Sequence, residues 1–340
     1  MAASNLTLVL PPLSLDDSEK AALSEIVEKK QKSLKSLRKI FSRGEKESID
    51  SQPITLANLF TLPYTDPETF PTAAIMAFGA GLDGSTGYWL CADPVYLHPD
   101  LDHVLLFDKS TFELPKHELA QLVSEIDEML LEKGITTHHG HQQSLFFRMA
   151  DKTDASFTAT KEVSGKNILQ HLPEGDDAAK WRLLQNEIQM QMSQSIVNRE
   201  RQEKGLVSIN GLWFWGGGYL LRGKYKQVFD AVYANDLFTQ GLAKLTSMVA
   251  EKTCTSIEDI NPASNSLVAF DEIDEAAMSY SDFLVDLEKQ WLLPTLALIK
   301  KNELESMTIL TAKTKITITK KQLGKFWKGS VKANSILELL

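Results

Sequence analysis

Apolar residues along this chain fall into two rhythms, short unbroken runs and three- to four-residue spacings, and the alternation between them predicts a mixed α/β protein. The run over residues 6–10, Leu-Thr-Leu-Val-Leu, reads as a buried strand closed by Pro11-Pro12. Asp16, Asp17 and Ser18 then open a helix with Leu23, Ile26, Val27, Leu34, Leu37, Ile40 and Phe41 on one side. Residues 44–53 are polar and read as a loop, residues 55–62 as a short helix, and residues 63–67 as a turn carrying Tyr64 and Pro67. Glycines between 79 and 87 predict a mobile connection. Beyond it come a strand at 88–97, its hairpin partner at 103–107, a helix at 115–133 with Leu119, Leu122, Val123, Ile126, Met129 and Leu130 inward, and a strand at 145–149. Strand, strand, helix and strand in this order suggest a compact α+β module.

The plainest helix lies further on, where Trp181, Leu184, Ile188, Met192 and Ile196 recur at helical spacing behind the acceptors Asp176 and Asp177. It ends near Gly205, and residues 208–215 read as a buried strand running into Gly216, Gly217 and Gly218. Glycines at a strand end let a backbone or a ligand come close. Residues 227–245 have helical spacing, 267–270 reads as a short buried strand, 281–300 as a helix, and 308–311 and 315–319 as β. The tail over 320–332 is basic and carries Phe326 and Trp327, lysines of a kind that are ordinarily solvated.

Composition narrows the function. The 340 residues are 43% hydrophobic, enough for one large domain or two small ones, and the net charge of −9 opposes broad nucleic-acid binding. Cys91 and Cys254 make neither a disulfide framework nor a metal pair. No apolar run is long enough to span a bilayer, and the start lacks the basic residues of a secretory signal, so the expectation is a cytoplasmic protein without a membrane partner. Lys29, Lys30, Lys32, Lys35, Arg38, Lys39 and Arg43 crowd the first helix and read as a solvated face. His138, His139 and His141 read as turn histidines exposed to water, since spaced cysteine or carboxylate partners are missing around them. Arg148 sits in an apolar strand, where its guanidinium calls for a partner: a bound anion, or a structural carboxylate such as Glu187.

Asn198 and Arg201, Gly205, Asn210, and the Trp-x-Trp-Gly of Trp213 to Gly216 resemble the middle of archaeal-type, cofactor-independent phosphoglycerate mutases of the alkaline phosphatase superfamily. The likeness is closer still to the shorter bacterial phosphoglycerate mutase-like, or Rpf-type regulatory, proteins, and is most specific over residues 83–218. It implies an alkaline phosphatase-like sheet core flanked by helices, with a smaller inserted α+β module. Residues 1–85 and 205–340 would form the discontinuous core, 86–170 a lid-like module, and 171–204 a connecting loop and helix.

Phosphoryl transfer on this plan needs a hydroxyl nucleophile and two divalent ions held by carboxylates and imidazoles. In the family's pattern the nucleophile position falls here on Ile54, the metal-binding Asp-Gly pair on Pro11-Pro12, the histidine of an Asp-Glu-Ala-Gly-His motif on Met278, and the final Asp-His pair within Thr311 to Thr314. The resemblance therefore implies a degenerate, non-catalytic protein, a pseudoenzyme with a binding or regulatory role and no cofactor. Its partner would be a small phosphorylated metabolite or another protein. The alternative is a metal-dependent mutase or phosphatase using Mn or Mg, with Ser51 or Thr55 as nucleophile and displaced ligands from Asp271, Asp274 and Glu275. For an anion pocket the candidates are Arg148, His171, Asn198 and Arg201. Trp213 and Trp215 read as core, and Asn198 and Arg201 are equally suited to latch the end of a helix.

Overall fold

A computed structural model of the protein describes residues 4–12, 17–62, 70–220, 223, 225–273, 278–325 and 333–340. Two compact units emerge, one formed by Met1–Thr65 with Lys224–Leu340 and the other by Asp66–Gly223. Among the described residues the strands are β1 (Asn5–Val9), β2 (Glu45–Ser48), β3 (Tyr88–Asp100), β4 (His103–Phe107), β5 (Thr136–His139), β6 (Leu145–Met149), β7 (Gly211–Gly218), β8 (Ala231–Tyr233), β9 (Ser266–Ala269), β10 (Ser306–Leu310) and β11 (Thr314–Thr319). The protein is a mixed α/β fold with a sheet core flanked by helices.

The first unit is built on a six-stranded sheet in the order β2-β11-β10-β1-β9-β8. Strands β8, β9, β1 and β10 run parallel, with β11 and β2 added antiparallel at one side. The parallel strands are near-continuous apolar runs because side chains on both faces are buried, and Leu8, Val268, Met307 and Ile309 are fully so. Strand β2, within the predicted loop, reads Glu-Lys-Glu-Ser and is exposed throughout. Its backbone pairing with β11, not its side chains, makes it a strand, and its charges suit an edge.

The helix predicted from residue 16 onwards is three pieces, Asp17–Lys29, a 3-10 turn at Gln31–Ser33, and Lys35–Arg43. Leu34 offers the last piece no side-chain cap. Instead the buried carboxylate of Glu288 accepts the N–H groups of Ser36 at 2.7 Å and Leu37 at 2.8 Å. Glu288 opens a π-helical turn, Glu288–Leu292, between helices Tyr280–Leu287 and Leu293–Lys301. Pro294 explains the widening, since it has no N–H and its ring crowds the carbonyl four residues back. The helix predicted over 227–245 begins only at Leu237. Asp236 caps it, accepting Thr239 N–H at 2.7 Å, and the residues before it pair with β9.

In the second unit β3 is central. Its first half lies between β6 and β7, its second half forms the hairpin with β4, and β5 pairs with the far side of β6, all antiparallel. Helices Lys116–Glu132 and Ala178–Ser193 pack on this sheet, joining Leu122, Ile126, Trp181 and Ile188 to Leu90, Phe147 and Phe214. Residues 171–204, expected as a connector, thus supply core to this unit, whose limits are wider than 86–170. The expected connection over 79–87 follows an additional helix, Thr72–Gly79, whose Ala73, Ala74, Ile75 and Ala77 are buried. His138 and His139 lie on β5 and not in a turn, while His141 opens a 3-10 turn. Tyr64, Pro67, Phe326 and Trp327 lie outside the described residues.

Candidate functional site

Open α/β sheets hold ligands beyond the carboxyl ends of their parallel strands. In the first unit that edge follows Val9, Ala269, Leu310 and Tyr233. Beyond β1 the chain continues as Leu10, Pro11 and Pro12, and the carbonyl of Leu10 accepts Nε2 of Gln52 at 2.9 Å. The same nitrogen lies 3.4 Å from the carbonyl of Leu310, so one carboxamide joins the ends of β1 and β10. Beyond β10 the hydroxyl of Thr311 donates to the carbonyl of Leu339 at 2.6 Å and accepts the N–H of Thr314 at 2.9 Å. Threonine here folds the turn and ties down the last residues of the chain.

Both hydroxyl candidates serve the helix Gln52–Leu59. Ser51 caps it, its Oγ accepting from Ile54 N–H at 3.4 Å, while Thr55 Oγ1 donates to the carbonyl of Ser51 at 2.8 Å. Ile54, onto which the resemblance places the nucleophile, is buried. Asp271 is exposed beyond β9 and accepts Nδ2 of Asn235 at 2.6 Å. Burial raises the carboxyl of Asp236 above its usual range, and the charge of Asp271 pushes it the same way. Asp274 and Glu275 lie outside the described residues. Among the described residues, no three His, Cys, Asp or Glu side chains come together so as to hold a metal ion. Among the described residues at these strand ends, prolines, a carboxamide and a threonine do not fit the oxygen and imidazole shell that a pair of divalent ions requires.

The four anion candidates are not brought together. Arg201 is 2% exposed on helix Ile196–Glu203; its guanidinium meets Glu118 at 2.5 Å and donates through Nε to the carbonyl of Val207 at 2.7 Å. Asn198 donates to the carbonyls of Met192 and Ile209 at 2.7 and 2.8 Å and accepts the N–H of Ile209 at 2.7 Å. Both residues therefore fasten the helix to the turn that follows it. Asn210 does similar work on β3, pairing with both backbone groups of Leu97 at 2.7 and 2.9 Å.

Arg148 stands on β6 opposite Trp89, its guanidinium carbon 5.9 Å from the centre of the indole ring. That aromatic face, and not Glu187, is its neighbour; Glu187 pairs with Lys133 at 2.8 Å. His138 lies against the same indole at 5.1 Å, and its pKa is lowered by burial, then by Arg148 and His139. His171 closes the turn Ile168–Gln170 by donating its backbone N–H to the carbonyl of Ile168 at 2.9 Å.

The Trp-x-Trp-Gly stretch is also structural. Trp213 is buried and donates Nε1 to the carbonyl of Thr158 at 2.8 Å, and Trp215 donates to Asp93 at 2.7 Å. The approach that the glycines permit is that of the protein's own atoms. A Cβ at Gly218 would stand 2.6 Å from Cα of Pro71, and Gly216, at φ +70°, packs on Thr72 and Ala73. Sequence reasoning missed Asp93, whose Oδ2 accepts from both Trp215 and Thr160 Oγ1, the latter at 2.5 Å. Burial raises its pKa against the lowering effect of those two hydrogen bonds. The available signal was a carboxylate inside the apolar run Leu-Cys-Ala-Asp-Pro-Val.

No protein-family model matches the chain. A probable 2,3-bisphosphoglycerate-independent phosphoglycerate mutase of Geobacter sulfurreducens is 27% identical over 172 residues, 48% of this chain and 42% of that protein. The 2,3-bisphosphoglycerate-independent phosphoglycerate mutase of Methanothrix thermoacetophila is 37% identical over 65 residues, 19% of this chain and 17% of that one. These stretches are homologous to the cofactor-independent phosphoglycerate mutases. The matches span less than half the length of either relative. Among solved structures, a protein of Pyrococcus horikoshii superposes with a TM-score of 0.50 at 13% identity, over 99% of this chain and 96% of that one. A cofactor-independent phosphoglycerate mutase from Thermoplasma acidophilum aligns over 99% and 98% with a TM-score of 0.43 at 16% identity. The likeness of fold rests on the Pyrococcus horikoshii protein.

Proposed function

We propose that the chain is a non-catalytic relative of the cofactor-independent phosphoglycerate mutases, of the Rpf-type regulatory kind, acting in the cytoplasm by binding a phosphorylated metabolite or a protein partner. The observation that carries this reading is Gln52, whose carboxamide bridges the carbonyls of Leu10 and Leu310 at the strand ends. Among the described residues, the group that joins the ends of β1 and β10 is an uncharged donor, which offers a divalent ion no anionic oxygen. Pro11-Pro12 and the engaged hydroxyls of Ser51, Thr55 and Thr311 support the same reading.

The test is metal analysis of the full chain after equilibration with Mn and with Mg, beside mutase and phosphatase assays on three-carbon phosphate esters. The expected result is less than a tenth of an equivalent of tightly held metal and no metal-dependent turnover. About two ions per chain with a metal-dependent rate would overturn it, and would favour the displaced set of Asp271, Asp274 and Glu275.

A further inference from the structure

At the opposite end of the first unit's sheet lies an open cavity of about 500 Å³ lined by Ser42, Gly44, Glu45, Lys46, Lys321, Gln322 and Lys325. The strand register fixes its place. Thr319 opposes Ser306, and Glu45 opposes Thr317, so the cavity lies where the parallel strands begin and away from the edge closed by Gln52. Its volume falls within the range of small-ligand sites, roughly 300–1,000 Å³. Lys321 and Lys325 share this lining with Lys46 and Glu45, and Glu45 is itself 3.5 Å from Nε2 of Gln322.

Neighbouring lysines have partners: Lys315 pairs with Glu47 at 3.1 Å, and Lys320 donates to Asn302 at 2.8 Å. Lys321 and Lys325 have no carboxylate within ion-pair distance among the described residues. The guanidinium of Arg43, beside Ser42, donates to the carbonyl of Leu323 at 2.6 Å, which fastens the helix Lys320–Leu323 to the helix ending at Arg43. Gly44 makes the floor tight, since a Cβ there would stand 2.6 Å from Cγ2 of Ile316. One turn back, Lys39 is held below the usual lysine range by burial and then by Lys300 and Arg43.

We infer that this cavity is a site for a small, multiply charged anion of the di- or triphosphate class, held by Lys321 and Lys325. A long polyanion would meet the whole chain, whose net charge of −9 repels it, whereas a compact one meets only the local excess of lysines. The site is independent of the strand-end edge, so the proposed lack of catalysis and this binding succeed or fail separately.

The probe is sodium tripolyphosphate, titrated calorimetrically into the full chain at fixed ionic strength, with sodium sulfate and a 12-nucleotide single-stranded RNA as comparators. Saturable binding of about one tripolyphosphate per chain is expected, with the Lys321→Gln/Lys325→Gln variant at least 10-fold weaker and the parent and variant melting alike without ligand. A Glu45→Gln variant, which removes the opposing charge, should bind tighter. Tripolyphosphate binding that stays within twofold in the double variant would overturn the assignment. So would sulfate binding as tightly, or the RNA binding while tripolyphosphate does not.

Discussion

Replacing Arg201 by methionine separates an anion ligand from a structural latch. Methionine fills much of the arginine stem's volume but leaves the Glu118 carboxylate, 14% exposed, facing no cation, and leaves the carbonyl of Val207 without its donor. Removing one partner of a buried ion pair costs about 3–5 kcal/mol, most of it from the charge left behind. The variant should therefore unfold at a clearly lower urea concentration with an unchanged m-value. At an m-value of about 2 kcal/mol per molar, a loss of about 4 kcal/mol moves the midpoint by about 2 M. Tryptophan fluorescence suits the measurement, because Trp89, Trp181, Trp213 and Trp215, four of the six tryptophans, lie in the same unit as Arg201. The double variant Arg201→Met/Glu118→Leu removes both charges, so it should recover more than half of the loss, a coupling that two independent sites would not show. A midpoint that moves by the equivalent of less than about 1 kcal/mol in Arg201→Met would refute the latch and return Arg201 to the anion candidates.

Asn198→Ala breaks three hydrogen bonds inside the same latch and should cost about 2–4 kcal/mol, read from the same transition, whereas a loop asparagine would cost almost nothing. Glu288→Ala should destabilise the first unit by about 2–4 kcal/mol and speed amide exchange at Ser36 and Leu37 first, with Glu288→Gln intermediate because one oxygen remains to accept. Asp93 has a raised folded pKa, so the folded state holds its proton to higher pH than the unfolded chain. Its contribution to stability is therefore present below about pH 4, the unfolded value, and is lost as pH rises through the folded pKa. Asp93→Asn should flatten that fall while its side-chain carbonyl still accepts from Trp215 and Thr160; a pH profile identical to the parent's would contradict the assignment.

Much of the framework was legible in residue order. The apolar runs at β1, β9 and β10 and the spacing of Trp181, Leu184, Ile188 and Met192 mark elements whose burial is dictated by their own pattern. That Pro11, Pro12 and Ile54 carry no metal-binding or nucleophilic side-chain atoms is likewise a fact of sequence. What stayed hidden depends on partners far along the chain. Strand β2 exists because β11 pairs with it, and the helix Lys35–Arg43 starts where a carboxylate some 250 residues later accepts its first N–H groups. The fate of Arg148 and Arg201 was undecidable in one dimension for the same reason. A guanidinium satisfies itself equally with a phosphate, a carboxylate or an indole face, and only the packing of β6 on β3, and of helix Ile196–Glu203 beside Glu118, determines which lies within reach. Periodicity is local and survives in the sequence, whereas the choice of partner is set by distances that exist only once the chain has folded.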